Sequence, residues 1–370
     1  MQSSTFTNIS KIIERDSKTS TYKFALLRGV IDVILDNSPY ITFSGGRAHL
    51  PTGLLMEKWM LYYYPLLESV VPLPQINGNT RLAFEVQFRK IIDAYKKHNG
   101  FSGFYNDLRK KGIPSDQHAD FLALCSKLQQ TITQMPMRYI GRSINNDYYS
   151  LFNYERPTRR SRPKQLDVEY LIENYGSFSI PVEYYEAFKM LGSFINGQDS
   201  ILFQWAEFSV KASGLDLPIE RVIGEVLKSP VTERETNESK KLYSAILQKE
   251  GSVYCVWTGK KIGKYDIDHM IPFSIWKNND LWNLLPSSSQ INNGKRDKIP
   301  SPVLIDQRKD TILNYWRLLN GHLTNRFSKE IQISLLGKKM NDNWESMAIT
   351  QLQSKCDYLI SERGFEEWKI

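Results

Sequence analysis

The sequence predicts a mainly α chain that carries one small α+β module. A helical N-terminal domain is expected over residues 1–248, and the module with its trailing helices over 249–370. Three observations predict this. Apolar residues recur at helical spacing along most of the chain, as at Phe24, Leu27, Ile31 and Ile34. The length of 370 residues exceeds what one compact core ordinarily holds, so two packed units are expected. The stretch from Val253 to Pro300 instead breaks into short apolar segments around a glycine turn.

Taken in order, the first helix is stopped by Asn37-Ser38-Pro39. A second helix is expected over Thr52–Tyr64 and a third over Arg81–Lys97. Pro114-Ser115-Asp116 has the chemistry of an N-cap for a helix reaching Leu128. The aromatic run from Tyr148 to Phe152 suits a short strand or extended segment. Arg156, Arg159, Arg160, Arg162 and Lys164 follow, interrupted by Pro157 and Pro163, which disfavour a helix. That segment reads either as a solvated linker or as a contact to a nucleic-acid backbone. Thr232 to Lys249 is polar and helical, and helical patterning resumes at Ile312–Leu319 and at Trp344–Leu359.

Composition narrows the class. The 12% of aromatic residues supplies well-packed cores, which excludes a disordered chain. A net charge of +8 favours polyanionic partners, because Lys and Arg gain free energy by releasing counterions from phosphates. Three widely spaced cysteines without a Cys-x-x-Cys pair exclude a disulfide framework and a four-cysteine metal site. Residues 1–20 are polar and lack a signal-peptide core, and Leu54–Leu73 is broken by Glu57, Lys58, Pro65 and Glu68. A cytoplasmic protein without a membrane partner is expected.

The chemistry is concentrated between Val253 and Lys295. Two apolar segments flank a turn at Gly259–Gly263, which is hairpin chemistry, and the second leads into Asp268-His269. Neighbours in a regular strand face opposite sides, so the strand must end or distort there if both side chains serve one site. A short helix around Ser288–Arg296 would present Asn292 and Lys295 together, three residues apart. Phosphodiester hydrolysis needs such a set. Asp268 and Asn292 supply hard oxygens for a divalent cation, a neutral His269 can take a proton from water, and Lys295 can add positive charge.

The wording of this stretch resembles an HNH (ββα-metal) nuclease, and especially the HNH domain of RNA-guided CRISPR effector nucleases. The Thr258-Gly259-Lys260 turn, Asp266-Ile267-Asp268-His269, Ile271-Pro272-Phe273-Ser274 and Asn292-Asn293-Gly294-Lys295 carry the resemblance, which extends to about Leu323. It implies that His269 activates water, that Asp268 and Asn292 hold one Mg²⁺, Mn²⁺ or another divalent ion per site, and that Asn283 organises the loop and orients His269. It implies for Lys295 a helper role near the phosphate, with Arg296 beside it as a further backbone contact. Asn293 competes with Asn292 for the ligand position. Many relatives carry two Cys-x-x-Cys pairs here, but only Cys255 remains, so no structural zinc is expected.

The expected function is a DNA endonuclease of bacterial phage defence or restriction, nicking as a monomer and capable of double-strand breaks as an oligomer, with other defence subunits as candidate partners. Two alternatives share the same residues: a nucleic-acid-binding subunit with an idle nuclease fold, and an RNA-cleaving effector. The helical N-terminal domain is expected to supply recognition or regulation.

Overall fold

The computed structural model of the chain describes residues 3–15, 19–77, 81–141, 151–157, 165–195, 201–214 and 216–370. It divides into two compact units, Met1–Asp36 with Ile41–Pro230, and Asn37–Tyr40 with Val231–Ile370. The division therefore falls ahead of the expected break at 248/249. The polar helix Asn237–Glu250 explains the difference: Tyr243 is fully buried within the second unit, and its hydroxyl donates to the Leu284 carbonyl at 2.9 Å.

The first unit is built around the helix Thr52–Glu68, which is buried on almost every side. A helix that is apolar all round belongs in the middle of a core. Packing carries it past Pro65, beyond the expected end at Tyr64. Trp59 and Tyr63 of this helix lie in a ring cluster with Tyr22, Phe84 and Trp205, at centroid distances of 5.0 to 6.0 Å. Glu57, with no exposed surface, is neutralised by Arg109 through two hydrogen bonds. Other helices start or stop near their expected limits, with Glu85–Tyr95 shorter than predicted and His118–Gln134 running past Leu128 after a short turn at Ser115–Gln117.

This unit also contains an antiparallel sheet that helical patterning did not announce. Its strands β1 (Thr42–Ser44), β2 (Arg47–Pro51), β3 (Asn153–Glu155) and β4 (Ser177–Pro181) lie in the order β1-β2-β4-β3. β1 is exposed throughout, so it shows no apolar alternation. Its turn is readable in Gly45-Gly46, whose positive φ values of 55° and 72° suit a tight two-residue hairpin. Of the expected extended run, residues 148–150 lie outside the described residues, while Leu151 and Phe152 are buried just before β3.

In the second unit, β5 (Val253–Tyr254) folds back on β6 (Lys261–Ile262) across a turn in which Gly259 has φ 68°. The Asp-His strand β7 (Asp266–His269) leaves that hairpin and pairs with β8 (Leu284–Ser287), in the register Asp268↔Leu285 and His269↔Leu284. β8 runs into the helix Ser289–Lys295, and β9 (Ile299–Pro300) pairs in parallel with β10 (Glu367–Trp368). The helices Pro302–His322, Thr324–Ile331 and Trp344–Asp357 complete the unit. Trp257, Trp282 and Trp316 are fully buried in its core. Among the described residues no helix is long and apolar enough to cross a membrane.

One contact in the first unit leaves no room for a side chain. A Cβ at Gly53 would stand 2.2 Å from the backbone carbon of Leu171, so backbone must move to admit it. Gly53→Ala should therefore lower the unfolding free energy by about 1–3 kcal/mol in urea titrations. An unchanged midpoint would show that the close approach is not rigid.

Candidate functional site

β7 keeps regular pairing to its last residue, and the two neighbouring side chains at its end acquire separate partners. The Asp268 carboxylate is 4% exposed. Its Oδ1 accepts from Lys295 Nζ at 3.0 Å and its Oδ2 from Trp257 Nε1 at 2.5 Å. Lys295 has no exposed surface, and its ammonium also donates to the His269 carbonyl at 2.6 Å. The ammonium stands 5.8 Å from the centre of the Trp257 ring. A buried ammonium of this kind requires an anion beside it. The helix that delivers it is short but held at both ends: Ser288 Oγ accepts from the Ile291 N–H, and Arg296 ends it with φ 52°.

His269 is 5% exposed and packs against Phe273, with ring centroids 5.5 Å apart. Its Nε2 lies 3.1 Å from Asn279 Oδ1. The other end of that carboxamide, Nδ2, donates to the Glu233 carbonyl at 2.9 Å. A carbonyl can only accept, so Nδ2 must face Glu233 and Oδ1 must face the ring. Nε2 therefore carries the proton in the neutral imidazole, and Nδ1 holds the free lone pair. Burial lowers the pKa of His269 from its ordinary value. Asn279 and Asp268 oppose that shift, while Arg234 and Lys295 add to it.

The other residues singled out from the sequence fall as follows. Asn283 is tied to the backbone of Ile271: its Oδ1 accepts from the Ile271 N–H at 2.8 Å and its Nδ2 donates to the Ile271 carbonyl at 3.0 Å. Both ends of its amide are thereby used, and the ring of His269 is bonded to Asn279 instead. Asn292 lies half-buried on the helix that carries Lys295, whereas Asn293 is exposed. Arg296 is exposed at the end of that helix, and Arg156 is exposed after β3 in the first unit. Arg159, Arg160, Arg162 and Lys164 lie outside the described residues.

Sequence reasoning missed the residues that hold this arrangement. Arg326 Nη2 donates to the Asn279 carbonyl at 3.1 Å, and the same guanidinium pairs with Glu238 and with Glu330. Glu330 Oε2 accepts from the Leu281 N–H at 2.6 Å. Burial and the nearby charge of Asp280 push the Glu330 carboxyl up to about 8, against the pull of Arg326. Asp280 Oδ2 gathers donors from Asn278, Trp282 and Ser334 at 2.8 to 3.1 Å. Asn278-Asn279-Asp280 reads in the sequence as ordinary turn chemistry. Arg326 lies far downstream in the chain, with no pattern to mark it.

The donor set can be tested against a divalent ion. Asp268 and Asn292 offer hard oxygens, as Mg²⁺ prefers, and each Asp268 oxygen retains a lone pair beside its present donor. Among the described residues no group of three or more His, Cys, Asp or Glu is placed to hold a metal. The set therefore fits an ion that keeps several waters and takes few protein ligands. Where relatives place cysteine pairs, Cys255 is a buried free thiol. Burial pushes that thiol up, but hydrogen bonds from Thr258, Ser287 and Ser288 outweigh it and leave the pKa below its ordinary value.

Comparison with known proteins places both units. Residues 2–224 match the family described as a domain of unknown function, DUF8808. The chain belongs to the DUF8808 family. Residues 255–301 of this DUF8808 protein match the HNH endonuclease family, so the second unit contains an HNH endonuclease domain. That domain is similar to CRISPR-associated endonuclease Cas9 of Streptococcus mutans serotype c, at 30% identity over 119 residues. It is similar also to Cas9 of Listeria innocua serovar 6a, at 29% over 118 residues. Each match covers 30% of this chain and 8% of the relative, so the chain spans less than a tenth of the length of either protein.

The Asp268–Lys295 pair makes a prediction about stability. Lys295→Met leaves a buried carboxylate without its cation and should destabilise metal-free protein by about 3–5 kcal/mol in denaturant. Adding Asp268→Asn should return much of that loss, and strictly additive effects in the double-mutant cycle would mean the pair is not coupled.

Proposed function

We propose that this DUF8808 protein is a metal-dependent DNA endonuclease whose HNH domain cuts one strand per site. The observation that carries the reading is the placement of His269: a buried imidazole next in sequence to a carboxylate, with Nε2 facing the Asn279 carboxamide oxygen and Nδ1 outside that bond. Asp268 and Asn292 would hold one divalent ion, Mg²⁺ or Mn²⁺. That ion supplies charge neutralisation at the phosphate and at the departing oxygen. His269 Nδ1 takes the proton from the attacking water. Lys295 serves by holding Asp268 and the end of β7 in place, since two of its three ammonium donors go to Asp268 and to the His269 carbonyl.

DNA as substrate is supported by the resemblance of the motif and by the charge of +8. The first unit, larger than the nuclease domain, supplies recognition or regulation. Arg156, the basic residues that follow it and Arg296 contact phosphates. A cytoplasmic setting in bacterial phage defence or restriction, alongside other defence subunits, follows from the same resemblance. A single site nicks, and an oligomer would place two sites for a double-strand break.

The test is a side-by-side cleavage assay on supercoiled plasmid, linear duplex, single-stranded DNA and RNA with a series of divalent ions. Nicked circles should appear before linear product with Mg²⁺ or Mn²⁺, and His269→Ala should slow cleavage by about 10²–10⁴-fold. Salt-dependent DNA binding without metal-dependent cutting would favour an idle fold, and RNA as the better substrate would reassign the target.

The pH profile gives a second check. Because the pKa of His269 is lowered from 6.5, the neutral ring persists to lower pH than a free imidazole, and a bound cation acts in the same direction. The acid limb of the cleavage rate should lie below pH 6.5. A limb centred above that value would point to another base.

A further inference from the structure

The HNH resemblance gives the orientation of the histidine to Asn283, but the amide of Asn283 is consumed by the backbone of Ile271. We propose that Asn279 is the positioning residue for His269, and that the segment Val231–Thr236, where the chain enters the second unit, fixes the tautomer of the base through the Glu233 carbonyl. The inference rests on the nuclease reading above and extends it to how the site is controlled.

A carboxamide presents an acceptor at one end and a donor at the other, and rotation by half a turn exchanges them. If Nδ2 faced Nε2, that nitrogen would have to be the acceptor, and the proton would sit on Nδ1. The lone pair needed for proton abstraction would then point at Asn279. What forbids this orientation is the Glu233 carbonyl, 2.9 Å from Nδ2, because it accepts and cannot donate. The choice of tautomer is thus made by backbone of the lead-in segment and relayed through one side chain.

Two further observations show that the relay is held in place. Asn279 is 7% exposed, which keeps water from substituting for either bond. Its own carbonyl accepts from Arg326, whose guanidinium is anchored by Glu238 at the start of the helix that follows the lead-in segment and by the buried Glu330. Any event that pulls residues 231–236 away would free the amide to turn and would leave the ring with mixed tautomers. The consequence is a nuclease whose base is competent only while the chain leading into its domain is seated.

The experiment uses the full-length protein with nitrogen-15-labelled histidine, where long-range proton–nitrogen spectra report the tautomer of each ring at alkaline pH. Loss of one signal set in His269→Gln assigns His269. Wild type should show the Nε2–H form. Asn279→Ala should give mixed tautomers and lower kcat by about 10–100-fold with KM unchanged. Asn279→Asp keeps an acceptor for Nε2–H and should restore the tautomer, but it loses the donor to Glu233, so amide exchange at residues 231–236 should quicken. An Nδ1–H ring in wild type would overturn the proposal. So would a wild-type tautomer and kcat in Asn279→Ala, or unchanged exchange at 231–236 in Asn279→Asp. If wild type cuts no substrate, the nuclease reading fails, and the spectra and exchange rates alone still decide the relay.

Discussion

The site depends on how one buried carboxylate is kept charged. Taking Asp268 out of water costs several kcal/mol unless a cation and hydrogen-bond donors replace its solvation. Lys295 and Trp257 provide them, one to each oxygen. This constraint explains why a helix of only seven residues ends in a fully buried lysine, and why a tryptophan of the hairpin turns its N–H toward β7. It also ties the HNH domain together, because Asp268, Trp257 and Lys295 come from three different elements. The ammonium bonds the His269 carbonyl as well, so the same contact pins the end of the strand from which the imidazole projects.

Support for the site reaches beyond the residues that match the HNH family, 255–301. Trp368, on β10, packs edge-on against Trp257 with centroids 5.1 Å apart, behind the indole that bonds Asp268. Trp316 donates to the Trp282 carbonyl at 2.9 Å, and Tyr315 both donates to and accepts from the backbone of Tyr254. Arg326 and Glu330 brace the loop that holds Asn279. The matched stretch contains the chemical groups, while the helices that follow it and the residues before it fix their positions.

This division accounts for what could be read from the sequence. Asp268, His269 and Asn292 could be singled out as candidates because local spacing and residue type mark them, and the turn at Gly259 was visible because only certain residues accept a positive φ. The strand pairing was not visible. The segment before Asp268 looked like the second arm of a hairpin, and nothing local says that β7 prefers β8 across a fourteen-residue excursion (270–283) rich in turn residues. Asn279 was hidden among turn-forming neighbours, since its role arises from a carbonyl at Glu233 and a guanidinium at Arg326, both remote in sequence. The sheet of the first unit was hidden for a different reason: β1 is exposed on both faces, so burial wrote no alternation into it.

The two adjacent side chains at the end of β7 have different immediate hydrogen-bond partners, and one lysine links them. The Asp268 carboxylate accepts from an ammonium and an indole N–H. His269 meets a carboxamide and an aromatic ring, and burial sets the direction of its pKa, opposed by Asn279 and Asp268 and reinforced by Arg234 and Lys295. The His269 carbonyl accepts from Lys295, so the group that satisfies the Asp268 carboxylate also fixes the backbone that carries the imidazole.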